Sequence, residues 1–366
     1  MNRFSVLSVE ERAEVFQATS ADMGLRPDII EKDFWVCFML NHLFHGCRYK
    51  GSFVFKGGTS LSKSYHAIKR FSEDIDIILD WRKFVSDGDN PWDERSKTQQ
   101  DIFNKQINKN AAEFYREELA PCLNREIEEM LGKGDWVSID KEDEMVINFY
   151  YPQIFEADYI RDKVRLEIGP LAEWLPSHVT TVKPFVAEKY PNLFEKEATE
   201  VLTIDIERTF WEKLTILNRL AHYPDSKVLP PRYARHLYDV FCMANSSVKE
   251  AAFARKELLE KDVVFKQKFY YAKGAHYESA NLKQISLIPA EHIMDAVKTD
   301  YSAMRNMIYG EYPEFEEVIT CLKQLQEEIH ELGKHDASLI EPIENLEKEE
   351  MKTFHSIDEL MEDLNN

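Results

Sequence analysis

The stretch FVFKGGTSLSKSYHAIKRFSEDIDIIL, residues 53–79, decides the fold. It holds two apolar, strand-like runs with a short helical pattern between them, and each run is marked by a different chemistry. Gly57 and Gly58 follow the first run directly. Glycine lets a backbone turn sharply and brings its N–H groups close to a ligand, and the helix opened by Thr59, Ser60 and Leu61 presents an N-terminus that favours anions. A plain strand-to-helix turn also uses glycine, so the pair by itself does not define a phosphate site. The second run carries more. With a strand's period of two, Asp74 and Asp76 share one face while Ile75 and Ile77 point the other way. Two like charges held side by side are unfavourable unless a cation or proton compensates them, and oxygen-only donors select a hard ion such as Mg²⁺.

A third carboxylate is available at Glu167, on a second alternating run at 164–168, and it completes a two-metal set if that run lies beside 74–79. Glu144, Asp158 and Asp162 are alternatives for the same place. Such a set supports in-line displacement at phosphorus.

Working outward, the pattern predicts helices at 9–21 and from Pro27 to the region of Gly46, then the two strands around 60–68. A polar insert spans 82–135 and contains one long helix, 97–131, facing solvent over much of its length and closed by Gly132 and Gly134. Strands are expected at 145–151 and 163–169. After Ile206 the period changes from two to about 3.6, which predicts helices at 207–221, 232–244, 246–259, 290–307 and 313–332. The reading is α+β, with a small mixed sheet and flanking helices in 1–205, a helical domain in 206–335 and an acidic tail in 336–366.

The formal net charge of −20 opposes binding to a polyanion unless basic residues are concentrated locally. Acidic residues crowd the C-terminal part, whereas Lys56, Lys63, Lys69, Arg70, Arg208, Lys213, Arg232 and Arg235 flank the segments of interest. No stretch approaches the roughly 20 apolar residues of a membrane span, and no apolar leader opens the chain, so a cytoplasmic protein without membrane attachment is expected. The five cysteines are scattered outside any C-x-x-C spacing, which suggests reduced, mostly buried thiols rather than disulfides or zinc.

These residues also carry a resemblance. The run from Phe55 to Lys63 followed by Arg70-Phe71-Ser72-Glu73-Asp74-Ile75-Asp76 resembles the first motif of the AbiEii/AbiGii toxin-type nucleotidyltransferases, a branch of the DNA polymerase beta-like nucleotidyltransferase superfamily. The likeness extends to Ile30-Glu31-Lys32-Asp33-Phe34-Trp35-Val36 upstream, and downstream to residues 207–214, 235–239 and 300–313. It implies an N-terminal nucleotidyltransferase fold. It also implies nucleotide contacts at Lys56, Gly57, Gly58, Thr59, Ser60, Lys63, Ser72, Lys213 and Arg235, and catalytic roles for Asp74, Asp76, Glu167, Lys213 and Asp239. In the family the aspartate pair binds metal, here Mg²⁺ or Mn²⁺ on Asp74, Asp76 and Glu167, and a late aspartate, matched by Asp239, is needed for activity.

The activity so implied is transfer of a nucleoside monophosphate from an NTP to an acceptor such as the tRNA 3′ end, by the toxin of a bacterial toxin–antitoxin pair with a cognate antitoxin as partner. A nucleotide-binding regulator without turnover and a transferase acting on a protein hydroxyl are the rival readings. The helical residues have plainer readings of their own. Arg208 with Glu212, and Arg235 with Asp239, stand at i,i+4 as surface ion pairs would, Lys213 alone reads as a solvent-facing lysine, and His66 and His236 read as packing or capping groups.

Overall fold

The computed structural model describes residues 1–334 apart from 87, 157–159, 172–174 and 273. Asp158 and the acidic stretch 336–366 lie outside the described residues. The chain divides into two compact units, Met1–Asp205 with Met307–Gly310, and Ile206–Asn306 with the chain from Glu311.

The first unit opens with helices α1 (Asn2–Ser5), α2 (Val9–Met23) and α3 (Pro27–Asn41). Ser8 and Glu11 form a reciprocal capping box that starts α2, and Gly24 in the left-handed region stops it. Proline at the head of α3 costs no hydrogen bond there. Every residue of α3 from Asp28 to Leu40 is buried, so it is a core helix rather than an amphipathic one, and it runs on into a π turn at His42–Gly46. Then come β1 (Phe53–Lys56), α4 (Gly57–Lys63) and β2 (Asp74–Leu79). The single helix expected over 97–131 is α5 (Lys97–Phe114), a π turn at Tyr115–Leu119 and α6 (Ala120–Leu131). Pro121 lacks the N–H that would continue the ladder, and the wide turn before it absorbs that loss. Although polar overall, this insert buries a seam through Ile107, Ala111, Tyr115, Leu119, Leu123 and Ile127.

The remaining elements of the unit are β3 (Val137–Ile139), β4 (Val146–Phe149), β5 (Val164–Gly169), β6 (Ser177–Val182), α7 (Phe185–Lys189) and β7 (Thr199–Ile204). All seven strands form one mixed sheet in the order β3-β4-β5-β2-β1-β7-β6. β2 is central, antiparallel to β1 and parallel to β5. The sheet is therefore larger than the small one expected from the sequence, because β6 and β7 show no clean alternation. β6 is an edge strand exposing His178 and Val179, and β7 is buried at five of its six positions. A short segment from late in the chain joins this unit. Ile308 bridges Arg70 in antiparallel fashion, Phe71 N–H donates to the Met307 carbonyl at 2.7 Å, and Tyr309 N–H donates to the Lys69 carbonyl at 2.9 Å.

The second unit is helical among its described residues: α8 (Ile206–Ala221), α9 (Arg235–Ala244), α10 (Val248–Ala254), α11 (Glu257–Phe269), α12 (Met294–Ala303) and α13 (Phe315–Lys334). α9 starts later than the pattern suggests because Arg232 sits at φ +64°, with Arg232 and Ala234 N–H groups donated to Asp300 at 2.6 and 2.7 Å. The expected helix 246–259 is two helices, broken at Arg255, the second running on to Phe269. No helix among the described residues is long and apolar enough to cross a membrane.

Candidate active site

The centre of the sheet places the first-motif residues. β5 lies beside β2 with Asp76 in register with Glu167 and Asp74 with Arg165, and on the other side Lys56 of β1 is in register with Asp76. Partners in register share a face, so Lys56, Asp76 and Glu167 form one row and Asp74 and Arg165 the next. Asp74, Asp76 and Glu167 are half-buried, while Ile75 and Ile77 are buried on the opposite face. Of the alternatives to Glu167, Glu144 is exposed and paired with Arg116 at 3.4 Å, and Asp162 is exposed.

The two glycines are required by what lies over them. Gly57 has φ +79°, and a Cβ there would stand 1.9 Å from Asp76 Oδ2. At Gly58 a Cβ would meet Arg70 Nη2 at 2.7 Å and Ser72 Oγ at 3.0 Å. The bare backbone at the head of α4 is thus ringed by Arg70, Ser72 and Asp76. Thr59 and Ser60 are fully buried. Thr59 donates to the Asp74 carbonyl and Ser60 to the Gly57 carbonyl, the latter at 2.8 Å, so both hydroxyls tie α4 in place.

Beneath this cradle runs a set of buried charges that sequence reasoning did not assign. Three consecutive residues of α3, Glu31, Lys32 and Asp33, are each at most 1% exposed. Glu31 accepts from Ile154 and Phe155 N–H groups at 2.8 and 3.0 Å, and burial, opposed by these bonds and by Arg12, raises its pKa to about 7. Lys32 Nζ donates to Glu73 Oε2 at 2.6 Å and to the Arg161 carbonyl at 2.7 Å, and the same Glu73 oxygen accepts from Arg161 N–H at 2.9 Å. Asp33 takes Lys63 Nζ at 2.7 Å on one oxygen and Phe185 N–H at 2.7 Å on the other. Burial works against the Lys63 charge, but the Asp33 carboxylate overrides it and holds the ammonium above its ordinary range. Lys63, expected at the nucleotide, is thereby a buried structural cation lying 3.9 Å from the centre of the Phe185 ring. The signal that could have found this set is the Glu-Lys-Asp run inside an otherwise apolar helix.

Whether the carboxylate face suits a divalent cation can be judged from its donors and its present partner. Among the described residues no three His, Cys, Asp or Glu side chains already stand converged on one point. Arg161 already engages one of these carboxylates, its Nη1 lying 3.0 and 3.3 Å from the two oxygens of Asp74. The face already holds positive charge, Arg161 against Asp74 and Arg165 3.5 Å from Glu167, Gly57 leaves room for the Asp76 carboxylate, and every donor is a hard oxygen, so the residues fit a hard cation.

In the helical unit, Lys213 of α8 is buried, with Nζ 2.9 Å from Asp239 Oδ2 and 3.2 Å from His236 Nδ1 of α9. Asp239 is fully buried, so it is no surface partner for half-exposed Arg235, and Arg208, itself buried, pairs with Asp262 of α11 at 2.6 Å. Arg208 and Asp239 thus each take part in a buried pair between helices.

Among solved structures, the chain is similar to MenT4, a nucleotidyltransferase toxin from Mycobacterium tuberculosis H37Rv, at 14% identity and a TM-score of 0.38, over 89% of this chain and 98% of that one. Among curated proteins the sequence has no match. The family model described as nucleotidyl transferase AbiEii toxin, type IV toxin–antitoxin system, matches residues 42–321. That span holds both the glycine cradle with its aspartate pair and the buried Lys213–Asp239 pair, and the chain belongs to the AbiEii family of nucleotidyltransferase toxins.

Proposed function

We propose that this nucleotidyltransferase toxin moves a nucleoside monophosphate from an NTP to the 3′-terminal hydroxyl of tRNA with the help of Mg²⁺ or Mn²⁺. The observation that supports it best is the register of β2 with β5, which sets Glu167 beside Asp76 one row from Asp74, facing a glycine turn that no side chain could occupy. In the reaction the acceptor oxygen bonds to the α-phosphorus, the bond from that phosphorus to the bridging oxygen breaks, pyrophosphate departs and the hydroxyl proton passes to solvent or a carboxylate.

Asp74, Asp76 and Glu167 would hold the cation, which supplies charge neutralisation at the phosphates and a more acidic acceptor hydroxyl. The backbone N–H groups at Gly57 and Gly58, with Ser72 and Arg70 around them, suit the triphosphate. Lys56, in register with Asp76, adds a positive group on the same face. Lys213 is proposed as a further phosphate contact, positioned by fully buried Asp239, and half-exposed Arg235 as a weaker one. As a toxin of a type IV pair the protein has a cognate antitoxin for partner.

The test is incubation with tRNA, Mg²⁺ and each labelled NTP across a salt series. Labelled tRNA whose yield falls steeply with salt supports an RNA acceptor gripped by local basic residues despite the overall −20 charge. No labelled tRNA at any salt, with label on protein instead, moves the acceptor to a protein hydroxyl.

A further inference from the structure

Arg161 was no part of the motif reading, yet it is among the most firmly built groups at the site. Its backbone is held at both polar ends: the carbonyl accepts from Lys32 Nζ at 2.7 Å, and the N–H donates to Glu73 Oε2 at 2.9 Å. Lys32 and Glu73 are 0% and 2% exposed and are paired to each other at 2.6 Å. A buried ion pair spent on one residue's main chain fixes where its side chain starts. That side chain is 38% exposed and puts Nη1 between the two oxygens of Asp74 at 3.0 and 3.3 Å. Glu73 immediately precedes Asp74, the first residue of β2, so the clamp and the clamped guanidinium act on adjacent residues.

We propose that Arg161 is an exchangeable counter-ion: it neutralises Asp74 while the face carries no divalent cation, and on displacement by one it turns its guanidinium to the nucleotide phosphates. This rests on the reading of Asp74 and Asp76 as the cation-binding pair. A guanidinium that meets a carboxylate with a fork of N–H groups meets a phosphate oxygen pair equally well. The fixed backbone holds the start of the side chain beside Asp74, and its 38% exposure leaves the guanidinium room to swing. Arg161 therefore opposes the cation on its own and assists the cation and nucleotide together, two effects of opposite sign from one residue.

The test uses the full chain and its Arg161→Gln and Arg161→Lys variants, titrated by calorimetry with Mn²⁺ alone, then with the α,β-methylene analogues of the four NTPs at saturating Mn²⁺. Thermal melts accompany each variant, and the partly exposed side chain makes Arg161→Gln a fold-preserving change. Arg161→Gln is expected to bind Mn²⁺ alone about fivefold more tightly, the scale of a partly exposed ion pair, and the analogue about tenfold more weakly, the scale of a lost charged hydrogen bond. Arg161→Lys falls between. Unchanged or weaker Mn²⁺ binding in Arg161→Gln, with wild type binding normally, overturns the counter-ion role. An unchanged analogue affinity overturns the phosphate role. Asp74→Asn separates the premise from the inference: wild type without Mn²⁺ binding, or binding untouched by Asp74→Asn, removes the cation pair itself and the proposal with it.

Discussion

Asn in place of Asp33 would change one charge and almost no volume. Asp33 is 1% exposed and accepts from Phe185 N–H through one oxygen and from Lys63 through the other, both at 2.7 Å. In Asp33→Asn the Phe185 bond persists on the amide oxygen, but Lys63, itself 4% exposed, keeps an ammonium without its hydrogen-bonded ion-pair partner. Removing one partner of a buried pair costs about 3–5 kcal/mol. The Phe185 ring, 3.9 Å from Lys63 Nζ, retains part of the charge's stabilisation, which favours the lower end, about 3 kcal/mol. At 2–4 °C per kcal/mol for a unit of this size, Tm falls by about 6–12 °C. Lys63→Met added to Asp33→Asn removes the stranded charge and leaves an apolar chain against the same ring, so the double variant recovers at least half of the loss. Urea unfolding followed by circular dichroism at pH 7 measures both. A single variant within about 1 kcal/mol of wild type, or a double variant no better than the single, refutes the buried-pair account.

Asp76→Ala abolishes nucleotide transfer in the labelled-NTP assay while a cooperative melt shows that the fold is kept; retained transfer removes Asp76 from the site. Lys213→Met weakens NTP binding by about 1.5–3 kcal/mol, read as apparent KM, and an unchanged KM confines Lys213 to holding Asp239. Glu31 gives a pH signature. Its pKa is raised from about 4.5 unfolded to about 7 folded, chiefly by burial, so the protonated folded form is favoured and the associated stability, about 3 kcal/mol, is present below pH 4.5 and lost as pH rises through 7. Glu31→Gln cannot titrate, so the difference in unfolding free energy, wild type minus variant, declines from pH 5 to pH 8; a flat difference contradicts the raised pKa.

The cradle was legible because its chemistry is local. Gly57, Gly58, Asp74 and Asp76 fall within one run of 27 residues, and the strand period alone assigns the aspartates a common face. Glu167 was legible only conditionally, since its place depends on which strand neighbours β2, and strand order is a property of the whole sheet. β6 and β7 escaped because an exposed edge and a strand buried on both faces each lose the alternation that marks a half-buried strand. The pairs between helices were hidden for a related reason. Spacing along one helix ranks Arg208 with Glu212 and Arg235 with Asp239, but burial of Arg208 and Asp239 brings partners from other helices, Asp262 and Lys213. Sequence spacing sees neighbours on a surface; it does not see what a packed interface supplies.

Glu31, Lys32 and Asp33 show what that interface is for. Successive helical residues are about 100° apart, so three in a row fan across roughly 200° of the helix, and all three can be satisfied only if α3 is surrounded. It is, and each charge fastens a different segment: Glu31 the backbone at 154–155, Lys32 the start of β2 through Glu73 together with Arg161, and Asp33 the end of α4 through Lys63 and the start of α7 through Phe185. The end of α4 and the start of β2 are the two arms that carry the glycine turn and the aspartate pair. Their separation is therefore held not by the loop that joins them at 64–73 but by the β1–β2 register, the Thr59 bond to the Asp74 carbonyl and two adjacent side chains on one rigid helix. A loop of that length leaves the arms free to part by several ångströms, whereas a buried ion pair tolerates a few tenths before it is lost. The charged run in α3 touches no substrate in this arrangement, yet substitutions there are expected to lower kcat through the geometry of the cradle, with Asp33→Asn/Lys63→Met recovering stability more fully than turnover.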